Sequence, residues 1–199
     1  GIVLRSNSIT KAQWRGKIFH SAIELLHSEL SSGRASSKIF RDGFNEILDQ
    51  VRESLKSNHS FEFLGDPSLW PDVARIYKIL SGCLRDARLN CLSGEHIKTE
   101  RTLHSKDKLV FGRVDGYSES PGNIHVIDYK SGIIEDGFIR QDYIDQIHFY
   151  AYLVKENCNE YPTRLSLADS DLALYSVEPS LERSEKIASD MKAALVHFN

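Results

Sequence analysis

The chain has 199 residues, 41% hydrophobic, 10% aromatic and 27% charged, which fits one domain, or one with a helical appendage, with enough length to bury a core. With 25 basic and 28 acidic residues the net charge is −3, which excludes a polybasic nucleic-acid coat and a disordered acidic tail. No apolar run reaches the roughly 18 residues that a membrane span needs, and no signal peptide is visible.

Residues 10–30 read as a helix that Thr10 can cap, with Ile18, Phe19, Ala22, Ile23, Leu25 and Leu26 as its apolar face and Ser31-Ser32-Gly33 as its end. A second helix runs from about Ser37 to Lys56 on a stripe from Ile39 to Leu55, followed by a loop at Ser57-Asn58-His59. After Asp66-Pro67, Trp70, Val73, Ile76, Tyr77, Leu80 and Leu84 mark a third, ending near Asn90. Residues 1–41 hold seven basic residues against Glu24 and Glu29. Such a basic arm suits an anionic partner, although a solvated helix surface has the same pattern.

The period then changes. Ile97 to His104, Leu109 to Tyr117 and Ile124 to Lys130 have strand character, with a turn at Ser120-Pro121-Gly122-Asn123. A helix from about Asp142 to Glu156, a strand from Leu172 to Val177 and a helix from about Ser180 to Phe198 complete the chain. The order predicts an α/β fold, a central mixed sheet of about four strands flanked by helices, with a mainly helical part over 1–96 and a core over 97–199.

A hairpin closing about Pro121-Gly122 sets Asp115 directly across from Asp128, Cβ atoms roughly 4.5–5.5 Å apart, and Arg113 opposite Lys130. Lys130, two residues past Asp128, projects from the same face. Opposed like charges destabilise a strand pair, so two aspartates there call for a shared proton or a cation. Hard carboxylate oxygens suit Mg²⁺ or Mn²⁺. A salt-bridged hairpin, solvated at the end of a sheet, fits the same three residues.

Four stretches occur in one order: Gly16-Lys17-Ile18-Phe19-His20 with Glu24; Glu100 before Gly112-Arg113-Val114-Asp115-Gly116-Tyr117; Asp128-Tyr129-Lys130-Ser131-Gly132; and Gln146-Ile147-His148-Phe149-Tyr150. Together they resemble the PD-(D/E)XK nuclease superfamily, in particular its RecB-like branch of DNA exonuclease domains. The resemblance implies a restriction-endonuclease-like core and metal-dependent hydrolysis of DNA phosphodiesters, in repair and recombination or in defence against foreign DNA. It implies that Asp115, Asp128, the Tyr129 carbonyl and His20 hold Mg²⁺ or Mn²⁺. Lys130 holds or helps deprotonate the attacking water, and Glu100 serves a second metal or a water. Gln146 and Tyr150 share a helix face and orient Lys130 or a phosphate. Arg15, Lys17, Arg113 and Tyr150 contact DNA, single-stranded or at duplex ends, and Glu24 can orient the His20 imidazole.

Some members of that branch hold an iron–sulfur cluster on four cysteines. This chain has Cys83, Cys91 and Cys158, so no cluster is expected. So sparse and odd a set also argues for a reducing compartment: the cytoplasm, or the nucleus or an organelle of a eukaryote. No Walker A stretch is present, so a helicase, if the protein uses one, lies outside this chain. Gly1 as first residue and Met191 as the one methionine read as a trimmed or partial chain. The competing readings are a nuclease-like module that binds nucleic acid or protein without cutting, and a structural domain with ordinary ion pairs.

Overall fold

The computed structural model describes residues 10–31, 36–57, 69–83, 97–120, 122–130, 133–135 and 138–196. They fall into two compact units, Gly1–Leu89 and Asn90–Asn199. The expected helix end at Ser32-Gly33, the loop at Asn58-His59, Asp66-Pro67, the third helix beyond Cys83, Pro121, Ser131-Gly132 and Phe198 lie outside the described residues.

The first unit holds three helices, α1 (Lys11–Ser31), α2 (Ser37–Ser57) and α3 (Leu69–Cys83), with α1 packed against both others. Thr10 starts α1 through a reciprocal cap: its N–H donates to Gln13 Oε1 at 2.7 Å, and Gln13 N–H donates to its hydroxyl at 3.3 Å. Ser36 caps α2 through the Ile39 N–H. Gly43 of α2 lets the helices close, since a Cβ there would meet Leu25 of α1 at 3.0 Å. Phe40, Phe44 and Tyr77 stack between α2 and α3.

The second unit is a sheet with two helices. Its strands are β1 (Ile97–His104), β2 (Phe111–Ser118), β3 (His125–Tyr129), β6 (Arg164–Ala168) and β7 (Leu174–Val177), in spatial order β1-β2-β3-β6-β7. A separate two-strand ladder joins β4 (Ile134–Glu135) to β5 (Phe138–Ile139). Only β3 and β6 run parallel, which makes the sheet mixed. Helix α4 (Gln141–Cys158) connects β5 to β6, and α5 (Leu181–Val196) follows β7, its first turn capped by Ser180.

The sheet has five strands rather than about four, because β6 escaped the sequence reading. The strand expected from Leu172 starts at Leu174: the Asp169 carboxylate takes the N–H groups of Asp171 and Ala173 and bends the chain through Leu172, whose φ is 60°. Likewise β2 starts at Phe111, because Asp107 binds the Leu109 N–H and Ser105 pairs with Val110.

All five residues of β3 are buried, as expected of a central strand. Helix α4 is buried from Ile147 through Val154 without a break, which requires cover on two sides. The sheet supplies one side, through Tyr117, Val126, Leu165, Leu167 and Val177, and Ala188 and Ile187 of α5 supply the other. Leu153→Ala would cost this core roughly 2–5 kcal/mol.

Candidate active site

Three candidate site residues, Glu100, Asp115 and Asp128, cluster where three neighbouring strands of the second unit break their ladders. Between β1 and β2 the pairs Thr99↔Gly116 and Arg101↔Val114 form, and one residue on each strand, Glu100 and Asp115, is skipped. Glu100 has a φ of 52°, a left-handed conformation that costs a residue with a side chain roughly 1–2 kcal/mol. Between β2 and β3 the last pair is Gly116↔Ile127. One step beyond stand Asp115 and Asp128, in the register read from the sequence. Glu100, Asp115 and Asp128 therefore form one row of acids across β1, β2 and β3.

Side-chain hydrogen bonding explains why the second ladder stops. The Asp115 carboxylate accepts the Tyr129 N–H at 2.9 Å, so a side chain takes a backbone donor. The glycines of the Gly112–Gly116 stretch show the disturbance in β2. A Cβ at Gly112 would meet Leu153 and Phe149 of α4 at 3.0 and 3.2 Å, whereas one at Gly116 would meet Ile97 and Tyr129 at 3.2 and 3.7 Å. Four residues apart on a regular strand they would face the same side of the sheet. The alternation changes phase at Asp115.

The acids sit close together, and two of the three are buried. Carboxylate oxygens of Glu100 and Asp115 lie within 4.8 Å of each other; Asp115 is buried and Asp128 wholly so. Lys130 Nζ lies 2.8 Å from both Asp128 oxygens, with its hydrogen bond directed to Oδ1. Asp128 Oδ2 is buried and accepts no hydrogen bond among the described residues. Burial pushes the Asp128 carboxyl far above the usual carboxylate range, and the neighbouring Asp115 adds to the rise, while Lys130 pulls it back.

Gln146 and Tyr150 of α4 are joined, Gln146 Nε2 donating to the Tyr150 hydroxyl at 2.9 Å. The Tyr150 phenol is held above its ordinary value, first by burial and then by the negative charges of Asp115, Asp128 and Glu100. The hydroxyl thus lies in the field of the row. Tyr143 packs against the core and also lies under two cations: Lys130 Nζ is 5.2 Å and Arg140 Cζ 4.5 Å from its ring centre. No pattern in the sequence marks it beyond its place on the motif helix. His148 is core, its ring nitrogens on the carbonyls of Ile144 and Glu178.

The β2–β3 ladder ends at Gly116↔Ile127, so no ladder pairs Arg113 with Lys130; Arg113 pairs with Thr102 of β1 and its guanidinium binds Glu100. In the helical unit His20 is half-buried on α1 with Phe19 edge-on at 6.1 Å. Arg15 is held by Asp72 at 3.3 Å, Lys17 lies 5.2 Å over the Trp14 ring, and Glu24 is exposed. Cys83 and Cys158 form no disulfide among the described residues, and Cys91 lies outside them. Among the described residues no helix is long and apolar enough to cross a membrane.

A family model described as the PD-(D/E)XK nuclease superfamily matches residues 3–198. The chain belongs to the PD-(D/E)XK nuclease superfamily. Its fold is that of the restriction endonucleases, and membership implies nucleic acid as substrate and, as is general among these nucleases, use of divalent metal ions. Two solved structures are similar. One, named "Putative exonuclease", from Eubacterium rectale, is 12% identical, with 83% of this chain and 69% of that one covered and a TM-score of 0.48. The other, SSO0001, is 15% identical, with 85% and 84% covered and a TM-score of 0.35. None of the curated proteins compared with the chain matches it.

Proposed function

We propose that this protein is a metal-dependent deoxyribonuclease of the RecB-like branch, hydrolysing phosphodiester bonds in DNA repair and recombination or in defence against foreign DNA, within the cytoplasm or a nuclear or organellar compartment. The observation that carries the reading is the acid row itself: Asp115 and Asp128 are buried side by side, with Lys130 Nζ 2.8 Å from Asp128. Such an arrangement costs stability, and a cation bound there offsets the cost. The donor set fits the ion: carboxylates and a backbone carbonyl are hard oxygens, which suit Mg²⁺ or Mn²⁺.

Asp115, Asp128 and the Tyr129 carbonyl are the proposed ligands, with His20 added on the helical sequence motif and Glu100 serving a second ion or a water. A divalent ion bound there supplies Lewis acidity to the scissile phosphate and acidity to a bound water. Lys130, fixed by Asp128 and Tyr143, carries a positive charge to the point where the phosphate gains negative charge. The same amine can hold the attacking water. Tyr150, oriented by Gln146, offers a hydroxyl donor to a phosphate oxygen. Arg113 on Glu100, with Arg15 and Lys17, contacts the backbone of DNA. A helicase, where one is used, is a separate domain or subunit.

The test is cleavage of single-stranded and duplex DNA with Mg²⁺ or Mn²⁺ by the parent, Asp128→Ala and Lys130→Ala. Each variant is expected to lose at least roughly a hundredfold in rate with its circular dichroism unchanged. An Asp128→Ala protein that cuts as fast as the parent refutes the proposal. DNA binding by a parent protein that never cleaves assigns the non-cutting module instead.

A further inference from the structure

We propose that the exposed β1–β2 hairpin is a binding track for single-stranded nucleic acid, with Phe111 as a base-stacking platform; the track rests on the nuclease reading, because it leads to the acid row. Phe111 is 65% exposed and Leu109, two residues before it, 54%, so apolar surface is grouped at this end of the hairpin. It is paired across the ladder with the exposed His104, ring centres 5.4 Å apart and 30° from parallel. Two residues from Phe111, on the same strand, Arg113 binds Glu100, so the aromatic pair and the acids are consecutive features of one ladder.

Charge selects the occupant. Residues 101–113 hold four cations, Arg101, Lys106, Lys108 and Arg113, against one acid, while residues 97–199 as a whole carry 12 basic and 17 acidic residues. That one acid, Asp107, is engaged by Lys192, Ser105 and the Leu109 N–H, which together hold its carboxyl down at about 2. A basic island in an acidic unit suits a polyanion. β1 is an edge strand, but a second copy docked on it would bring the same cations together, which disfavours self-pairing. An open aromatic face suits unpaired bases, since a duplex hides its base faces in the stack.

The test is binding of a fluorescein-labelled oligothymidylate in EDTA, where cleavage does not interfere. Phe111→Ala is expected to weaken binding by roughly fivefold or more, and Phe111→Trp to keep it, with indole fluorescence quenched on binding. Arg101→Ala with Lys108→Ala is expected to flatten the plot of log affinity against log salt by about 1.4. The track is overturned if the parent does not bind, if folded Phe111→Ala binds like the parent, or if Phe111→Trp is not quenched. A dimer that Phe111→Ala dissolves in sedimentation assigns the face to a second copy instead. Binding that needs Phe111 in a protein that never cleaves retires the nuclease and keeps the track; cleavage that needs Asp128 with binding indifferent to Phe111 does the reverse.

Discussion

The carboxylate of Asp115 is tied to the strand that carries Asp128: it accepts the Tyr129 N–H at 2.9 Å. Repulsion between the two acids therefore cannot relax by Asp115 swinging away without leaving a buried donor unpaired, which costs roughly 1–3 kcal/mol. The strands hold the charges together against their own preference.

Cation binding should relieve that tension measurably. At a Mn²⁺ concentration about a hundred times the dissociation constant the native state gains about 2.7 kcal/mol, a rise in Tm of roughly 5–10 °C. Differential scanning fluorimetry should show this rise for the parent and a much smaller one for Asp115→Asn, whose amide oxygen still accepts the Tyr129 N–H. Equal rises for both would remove Asp115 from the ion.

Glu100 offers a separation of stability from activity. Glu100→Gly removes the cost of a left-handed φ and gives up the ion pair to Arg113, whose guanidinium is largely exposed. A net gain of up to about 1 kcal/mol is expected from urea midpoints, together with slower DNA cleavage. A variant both less stable and fully active contradicts this reading of the skip in the ladder.

Gly112 is required by contact rather than by φ. The Cβ of Gly112→Ala would stand 3.0 Å from Leu153 and 3.2 Å from Phe149, so overpacking of about 1–3 kcal/mol is expected in denaturant unfolding. An unchanged midpoint would mean that α4 yields without loss.

His27, buried on α1, supplies a pH dependence away from the site. Burial lowers its imidazole from 6.5 to about 4, so the unfolded chain takes up the proton first as pH falls. Stability is unaffected by His27 above pH 6.5 and declines between that value and about 4, by at most about 3 kcal/mol. Urea unfolding of the parent and His27→Leu at several pH values should diverge only within that window. Parallel curves throughout would show that His27 titrates normally in the fold.

Much of this was legible in the sequence because it rests on local chemistry. Thr10 capped its helix with a partner three residues away, and the hairpin about Pro121-Gly122 kept the register that aligns Asp115 with Asp128. The β6 strand was not legible: Arg164–Ala168 is five residues long, and its polar Ser166 looks like loop until the His125 ring is seen bonded to it at 2.9 Å, diagonally across the ladder. That partner is 41 residues away, on a parallel neighbour. The placement of Arg113 failed for a related reason. A register extrapolated from a turn assumes an unbroken ladder, and Asp115 breaks it by binding the backbone itself. Tyr143 depended on the tertiary approach of Lys130, which periodicity does not encode.

The phase change in β2 divides one short strand into two mechanically distinct halves. Before Asp115 its glycine serves the seating of a helix; after it, its glycine serves a different set of neighbours. Seating of the helix and support of the acids are therefore assigned to different residues of the same strand.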